Sequence, residues 1–241
     1  MTSQIFFEAE GFCVVKNILN EVEIGHYIEL YDELLETTKH RPDIRSDLSG
    51  QVTKVGTEKI TQIMRPSLLN PNLLEMPLHQ KALQWAKLLL GSDMALDFDM
   101  LINKAPHTQA PTPWHQDEAY WINMPDKRAV SCWVALDEST QENGAMWFIP
   151  QSHLHSLRQH QQQVEGGPLV CEASEAEAVC VALQSGSCSF HHGRTVHYSR
   201  GNSTNGNRRA FILNFRPAAM IEYERERGFD HLGNREARAN K

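Results

Sequence analysis

The apolar positions of this chain change period near residue 93. Before it they recur at helical spacing; after it they fall into short runs cut by turn residues. Ile24, Tyr27, Ile28, Tyr31, Leu34 and Leu35 repeat at threes and fours and so line one face of a helix. Asn20 stands just ahead with Glu23 three positions on, the reciprocal pair of a capping box, and predicts a helix from there to about Thr38. Leu73, Leu74, Leu83, Ala86, Leu88, Leu89 and Leu90 predict a second, largely buried helix over 71–90, stopped by Gly91. Gly11 to Val15 reads as a short strand ahead of both.

From Met94 onward, strands are expected at 95–104, 114–116, 129–136, 146–149, 179–183, 187–191, 195–199 and 209–216. Turn residues separate them: Pro125-Asp126, Glu142-Asn143-Gly144, Gly166-Gly167-Pro168, Ser185-Gly186 and the run Asn202 to Asn207. Many short strands after two helices imply a mainly β fold. The expected architecture is a jelly roll, a double-stranded β-helix, with N-terminal helices packed outside the major sheet. The polar stretches 39–58 and 159–178 read as surface loops or lids, and the charged tail from Ile221 as solvated. Residues 1–241 are expected to form one domain: a mostly helical part over 1–93, the jelly-roll core over 94–216, and the tail over 217–241.

Composition narrows the partners. A net charge of −7 with no basic block argues against nucleic acid. Five cysteines, odd in number and without a C-x-x-C pair, fit reduced thiols in the cytoplasm better than a disulfide framework. The start lacks a basic segment followed by an apolar one, and the longest apolar run, near Leu88 to Leu90, is too short for a bilayer, so neither a signal peptide nor a membrane span is expected. Nothing in the sequence speaks to oligomeric state.

The chemistry gathers at Trp114-His115-Gln116-Asp117. On a strand, His115 and Asp117 point the same way. An imidazole and a carboxylate side by side make two thirds of the two-histidine-one-carboxylate facial site that non-haem Fe(II) oxygenases use. A second histidine has to come from a distant strand, from among His153, His155, His191, His192 and His197. His197 is followed eleven residues later by Arg208, opening an apolar strand from which a guanidinium can reach back and pair bidentately with a carboxylate. Ser199 shares a strand face with His197 and offers a hydroxyl to the same anion.

These pieces resemble the phytanoyl-CoA dioxygenase family of Fe(II)/2-oxoglutarate oxygenases. The resemblance runs from Met100 to Arg216, about half the chain, through Leu101 to Pro106, Trp114 to Asp117, Cys132 to Leu136, Glu142 to Met146, Ile149 to His153, and Ser185 to Arg208. It implies His115, Asp117 and His197 as iron ligands. It implies Arg208, with Ser199 beside it, as the clamp on the far carboxylate of 2-oxoglutarate, and Trp133 and Asn103 as residues near that cosubstrate. It implies O2 as the oxidant and hydroxylation of a small metabolite or natural-product intermediate, with release of succinate and CO2. Two departures touch no implied ligand: Ser187 stands where an acidic residue is common, and Pro150-Gln151-Ser152-His153 replaces the usual Pro-Gly-Ser-His. Asp117 argues against halogenation, since related halogenases carry a small residue there. Tyr120, Trp121 and Glu118 follow the metal motif and are candidate substrate contacts. Two other readings remain open at this point: a cupin-like metalloenzyme that does not use 2-oxoglutarate, and a non-catalytic jelly-roll binding module.

Overall fold

A computed structural model describes residues 2–49, 57–162 and 167–232. The chain opens with α1 (Ser3–Glu10), β1 (Phe12–Val15) and α2 (Glu21–Thr37). The capping box at α2 is present in both directions, Asn20 accepting from the Glu23 N–H and Glu23 from the Asn20 N–H. Next come β2 (Arg45–Asp47), β3 (Ile60–Met64), α3 (Pro66–Leu69) and α4 (Pro77–Leu90). The helix expected over 71–90 is therefore split. Pro71–Glu75 forms a 3-10 turn, and Met76, forced extended by the proline after it (φ −73, ψ 155), separates that turn from α4. Leu78, Ala82, Ala86 and Leu89 form the buried stripe of α4, while Leu88 faces solvent.

The remaining strands are β4 (Met94–Lys104), β5 (Thr112–His115), β6 (Val130–Ala135), β7 (Met146–Phe148), β8 (Gln161–Gln162), β9 (Leu169–Val170), β10 (Val179–Val181), β11 (Cys188–His192), β12 (His197–Ser199) and β13 (Arg208–Pro217), and α5 (Ala218–Arg225) follows. Seven strands form one antiparallel sheet in the order β1-β11-β6-β13-β4-β3-β2; four form the other, β10-β7-β12-β5. The expected jelly roll with outer helices is what forms.

Alternation along β13 shows how the layers are sorted. Phe211, Leu213 and Phe215 pack into the core shared with α2 and α4, alongside Tyr27, Tyr31, Leu78 and Ala86. Ala210 and Ile212 face the second sheet and meet Trp133, Met146 and Phe148. α1, β2, β3, α3, the hairpin β8–β9 and α5 are the elements that the hydrophobic pattern misses. β2 and β8 are short and polar at the sheet margins, where cross-strand partners rather than periodicity decide the conformation. The five cysteines are free, as expected. Among the described residues, no helix is long and apolar enough to cross a membrane.

Candidate active site

β5 ends at His115, and Asp117 opens a 3-10 turn, so the two are not on one strand as expected. Gln116 between them stays extended (φ −124, ψ 130), so the alternation continues one residue past the ladder and both side chains still turn inward. Gln116 points the other way and is fully buried. Its amide donates to the Arg194 carbonyl (2.6 Å) and accepts from the Arg158 N–H (2.8 Å), which pins the turn in place. His197, first residue of β12, lies directly opposite His115 in the register.

The three side chains converge. Asp117 Oδ1 lies 3.6 Å from Nε2 of His115 and 3.6 Å from Nε2 of His197. One donor atom from each fits within 4.8 Å of the others. Each imidazole has its Nδ1 against a backbone carbonyl, His115 against Pro113 (2.7 Å) and His197 against Thr195 (2.9 Å). An Nδ1–H donated there leaves both Nε2 lone pairs aimed at the centre, the tautomer a metal requires. The donor set of two neutral nitrogens and one carboxylate, with one side open to a cavity, fits ferrous iron.

Burial pushes the titration of His115 and His197 down, further than Asp117 pulls it back. Burial would raise the Asp117 carboxyl, but His197, His191 and His115 hold it well below the usual range. His192 is likewise lowered by burial, to about 3. A histidine with a depressed folded-state pKa stays neutral in the native protein and protonates once unfolded, so native stability is lost as pH falls below about 6.5, the unfolded value. Metal-free protein should therefore lose stability from pH 7 to pH 5, by up to about 1.4 kcal/mol per pH unit for each such histidine. Urea unfolding at stepped pH checks this; a flat profile over that window would contradict it.

Arg208, first residue of β13, is 1% exposed, and its Nε and Nη1 find no hydrogen-bond partner among the described residues. Its guanidinium lies over the Trp133 ring at 5.0 Å, and burial pulls its pKa down to about 10. A buried cation with unused donors is expensive, and an anionic ligand is the physical remedy. Both residues line the same cavity of about 430 Å³ as His115, Asp117, His197 and Ser199. Met64, Phe98, Met100 and Ile102 make its apolar wall, Tyr120, Trp121 and Pro168 close one side, and His231 and Leu232 another.

Residues 7–210 match the phytanoyl-CoA dioxygenase (PhyH) family model. The chain belongs to the phytanoyl-CoA dioxygenase family. It is 25% identical over 226 residues to the human peroxisomal phytanoyl-CoA dioxygenase, a match covering 88% of this chain and 67% of that one. It is also 25% identical over 222 residues to a probable alpha-ketoglutarate-dependent hypophosphite dioxygenase of Stutzerimonas stutzeri, covering 88% and 73%. Among solved structures, EvdO2 from Micromonospora carbonacea var. aurantiaca complexed with 2-oxoglutarate superposes with a TM-score of 0.74 at 27% identity, covering 90% of each chain. This protein is thus an Fe(II)- and 2-oxoglutarate-dependent dioxygenase. The alternatives of a cupin-like enzyme without 2-oxoglutarate and of a binding module fall away.

Membership does not put every expected residue in the cavity. Asn103 is misassigned: on β4 the even positions 98, 100 and 102 face the cavity, so Asn103 turns outward and donates to Asn207 (3.3 Å). Lys104, which sequence reasoning missed, takes the inward place instead. It is fully buried beside Arg208, and its ammonium donates to the carbonyls of Ala110 (3.2 Å), Ser199 (3.3 Å) and Arg200 (2.5 Å). Burial pushes its pKa far down, and Arg208 adds to that. Glu118 also faces away from the cavity, paired with Arg194 (2.7 Å).

The tail is not merely solvated. Glu224 of α5 is buried against Arg216 (2.7 Å), and His231 stacks on Phe98 (4.1 Å) at the cavity wall. Asp97, Glu224 and His231 form a second cluster with metal-binding donors, but the Arg216 guanidinium bonds to Asp97 and Glu224 and already supplies the cation. Of the expected lid over 39–58, residues 42–48 line the cavity, and 50–56 lie outside the described residues. Gln151 holds a left-handed conformation (φ 62) where the family usually has glycine, so the turn is kept at some strain.

Proposed function

We propose that this dioxygenase hydroxylates a small, uncharged metabolite or natural-product intermediate, using His115, Asp117 and His197 to hold Fe(II) and Arg208 to hold the far carboxylate of 2-oxoglutarate. The observation that carries the reading is the buried Arg208 guanidinium with unused donors, opening on the same cavity as the three metal-ligating groups. Ser199 of β12 lines the same cavity, and the Trp133 ring lies under the guanidinium at 5.0 Å. The bound ferrous ion supplies the redox chemistry that couples O2 and 2-oxoglutarate to C–H oxidation, giving the hydroxylated product, succinate and CO2. The chain orients both substrates, keeps the histidine Nε2 atoms deprotonated and excludes water. Residues 1–241 would work as one oxygenase domain, and the free thiols favour a cytoplasmic setting.

The cavity's own charges support an uncharged substrate. Arg45 is paired with Glu58 (2.9 Å), Asp43 with Arg41 (2.7 Å) and His231 with Glu224 (2.7 Å). Asp47 accepts from the backbone N–H groups of Ser49, Lys59 and Ile60. With Arg208 committed to the cosubstrate, no cluster of lysines and arginines facing the cavity among the described residues would bind the phosphates of a coenzyme A thioester. Tyr120 and Trp121, with the apolar wall, are the proposed substrate contacts. Succinate formation with Fe(II), 2-oxoglutarate and O2 should be stimulated by neutral apolar compounds and not by acyl-CoA thioesters. Hydroxylation of a thioester in preference to the neutral compounds would overturn the substrate class.

A further inference from the structure

The two oxygens of Asp117 have different surroundings. Oδ1 lies toward His115 and His197, 3.6 Å from each Nε2. Oδ2 lies toward the large sheet, 2.7 Å from Ser131 Oγ and 3.4 Å from His191 Nε2. Ser131 on β6 pairs with His191 on β11 and with Asn214 on β13, so the three form one row across adjacent strands, on the face that looks into the cavity. All three are buried. The row lies beneath the metal carboxylate, and the pattern of apolar residues gives no reason for it.

Proton counting decides how the row works. Ser131 Oγ is 2.7 Å from Asp117 Oδ2 and also 2.7 Å from Asn214 Oδ1, yet a hydroxyl has one proton to give. In that arrangement the Asn214 Nδ2 is buried with no partner. A half-turn of the amide about its last torsion removes the competition for the serine proton and leaves the amide oxygen, instead of the amide nitrogen, in the unpartnered position. Nδ2 then donates to Ser131 Oγ, and the single serine proton is free for Asp117 Oδ2. We propose that Asn214 and Ser131 form a donor relay that locks the Asp117 carboxylate, so that Oδ1 alone is presented to the metal. His191 flanks the same oxygen. Asn214 and Ser131 are positioning residues; the proposal rests on Asp117 being a metal ligand. An unlocked carboxylate would rotate, and its basicity toward the metal would vary with that rotation.

The test is anaerobic Fe(II) titration at fixed pH, reading the dissociation constant and the visible band formed with 2-oxoglutarate, with thermal unfolding to show that each variant is folded. Ser131→Ala should weaken iron binding by about 10–100-fold, the usual cost of losing an outer partner of a ligand. Ser131→Thr keeps the hydroxyl and should bind within a few-fold of wild type. Asn214→Leu decides the direction of the relay. If Asn214 donates, its loss weakens iron binding by about tenfold. If Asn214 instead accepts the serine proton, its loss frees that proton for Asp117, and binding is unchanged or tighter, which overturns the proposal. Wild-type affinity in Ser131→Ala would also overturn it. Failure of the wild type to bind iron at all would strike at the ligand assignment of Asp117 and not at the relay alone.

Discussion

His197→Ala is expected to abolish ferrous-ion binding while the protein stays folded. Among the described residues, His197 supplies one of the two imidazoles whose Nε2 atoms face Asp117 Oδ1, both at 3.6 Å. Its partner His115 comes from the facing strand, so no neighbouring donor on β12 takes its place. His191 is nearest, with rings 4.5 Å apart, but it faces the other carboxylate oxygen. The loss should exceed the roughly 10–100-fold that removal of an outer partner costs, and succinate formation should vanish with it. Equilibrium dialysis against Fe(II) under argon measures it. Iron retained at wild-type affinity would move the ligand role to His191.

Arg208→Gln is expected to separate cosubstrate binding from metal binding. Glutamine keeps polarity and some length but removes the charge and the bidentate fork. Losing one partner of a buried charge pair costs about 2–5 kcal/mol, roughly 30-fold or more in the KM for 2-oxoglutarate. Iron affinity without 2-oxoglutarate should hardly move, since Arg208 is not one of the three proposed ligands. The variant should also be more thermostable than wild type in the absence of cosubstrate, because it removes a buried cation whose Nε and Nη1 find no hydrogen-bond partner among the described residues. Equal loss of iron and of 2-oxoglutarate affinity would contradict the assigned role.

The jelly roll was legible in the sequence because its large strands announce themselves. β4, β6 and β13 carry apolar side chains on both faces, one toward the helices and one toward the second sheet. His115, Asp117, His197 and Arg208, which line one cavity, stood out in the sequence because each is of a type few other jobs require at such a spacing: imidazoles, a carboxylate, a planar guanidinium. What sequence misjudged depends on facing. Asn103 and Lys104 are neighbours, and only the register of β4 against β13, Lys104 opposite Arg208, says which one looks inward. Glu118 follows the motif by one residue, but the 3-10 turn rotates it toward Arg194. The tail looked solvated because its charges are dense. Their pairing with Asp97 and Arg216, more than one hundred residues away from each other in sequence, is invisible to any local pattern. Ser131 and Asn214 gave no signal at all, since a polar residue inside an apolar strand has meaning only beside its cross-strand neighbour.

The most direct test of the whole account is an anaerobic titration of Fe(II) into the protein with and without 2-oxoglutarate. A visible metal-to-ligand charge-transfer band should rise only when both are present, saturate at one iron per chain, and be missing in His197→Ala. No band in the wild-type protein, or a band that persists in His197→Ala, would contradict the site assigned to His115, Asp117 and His197.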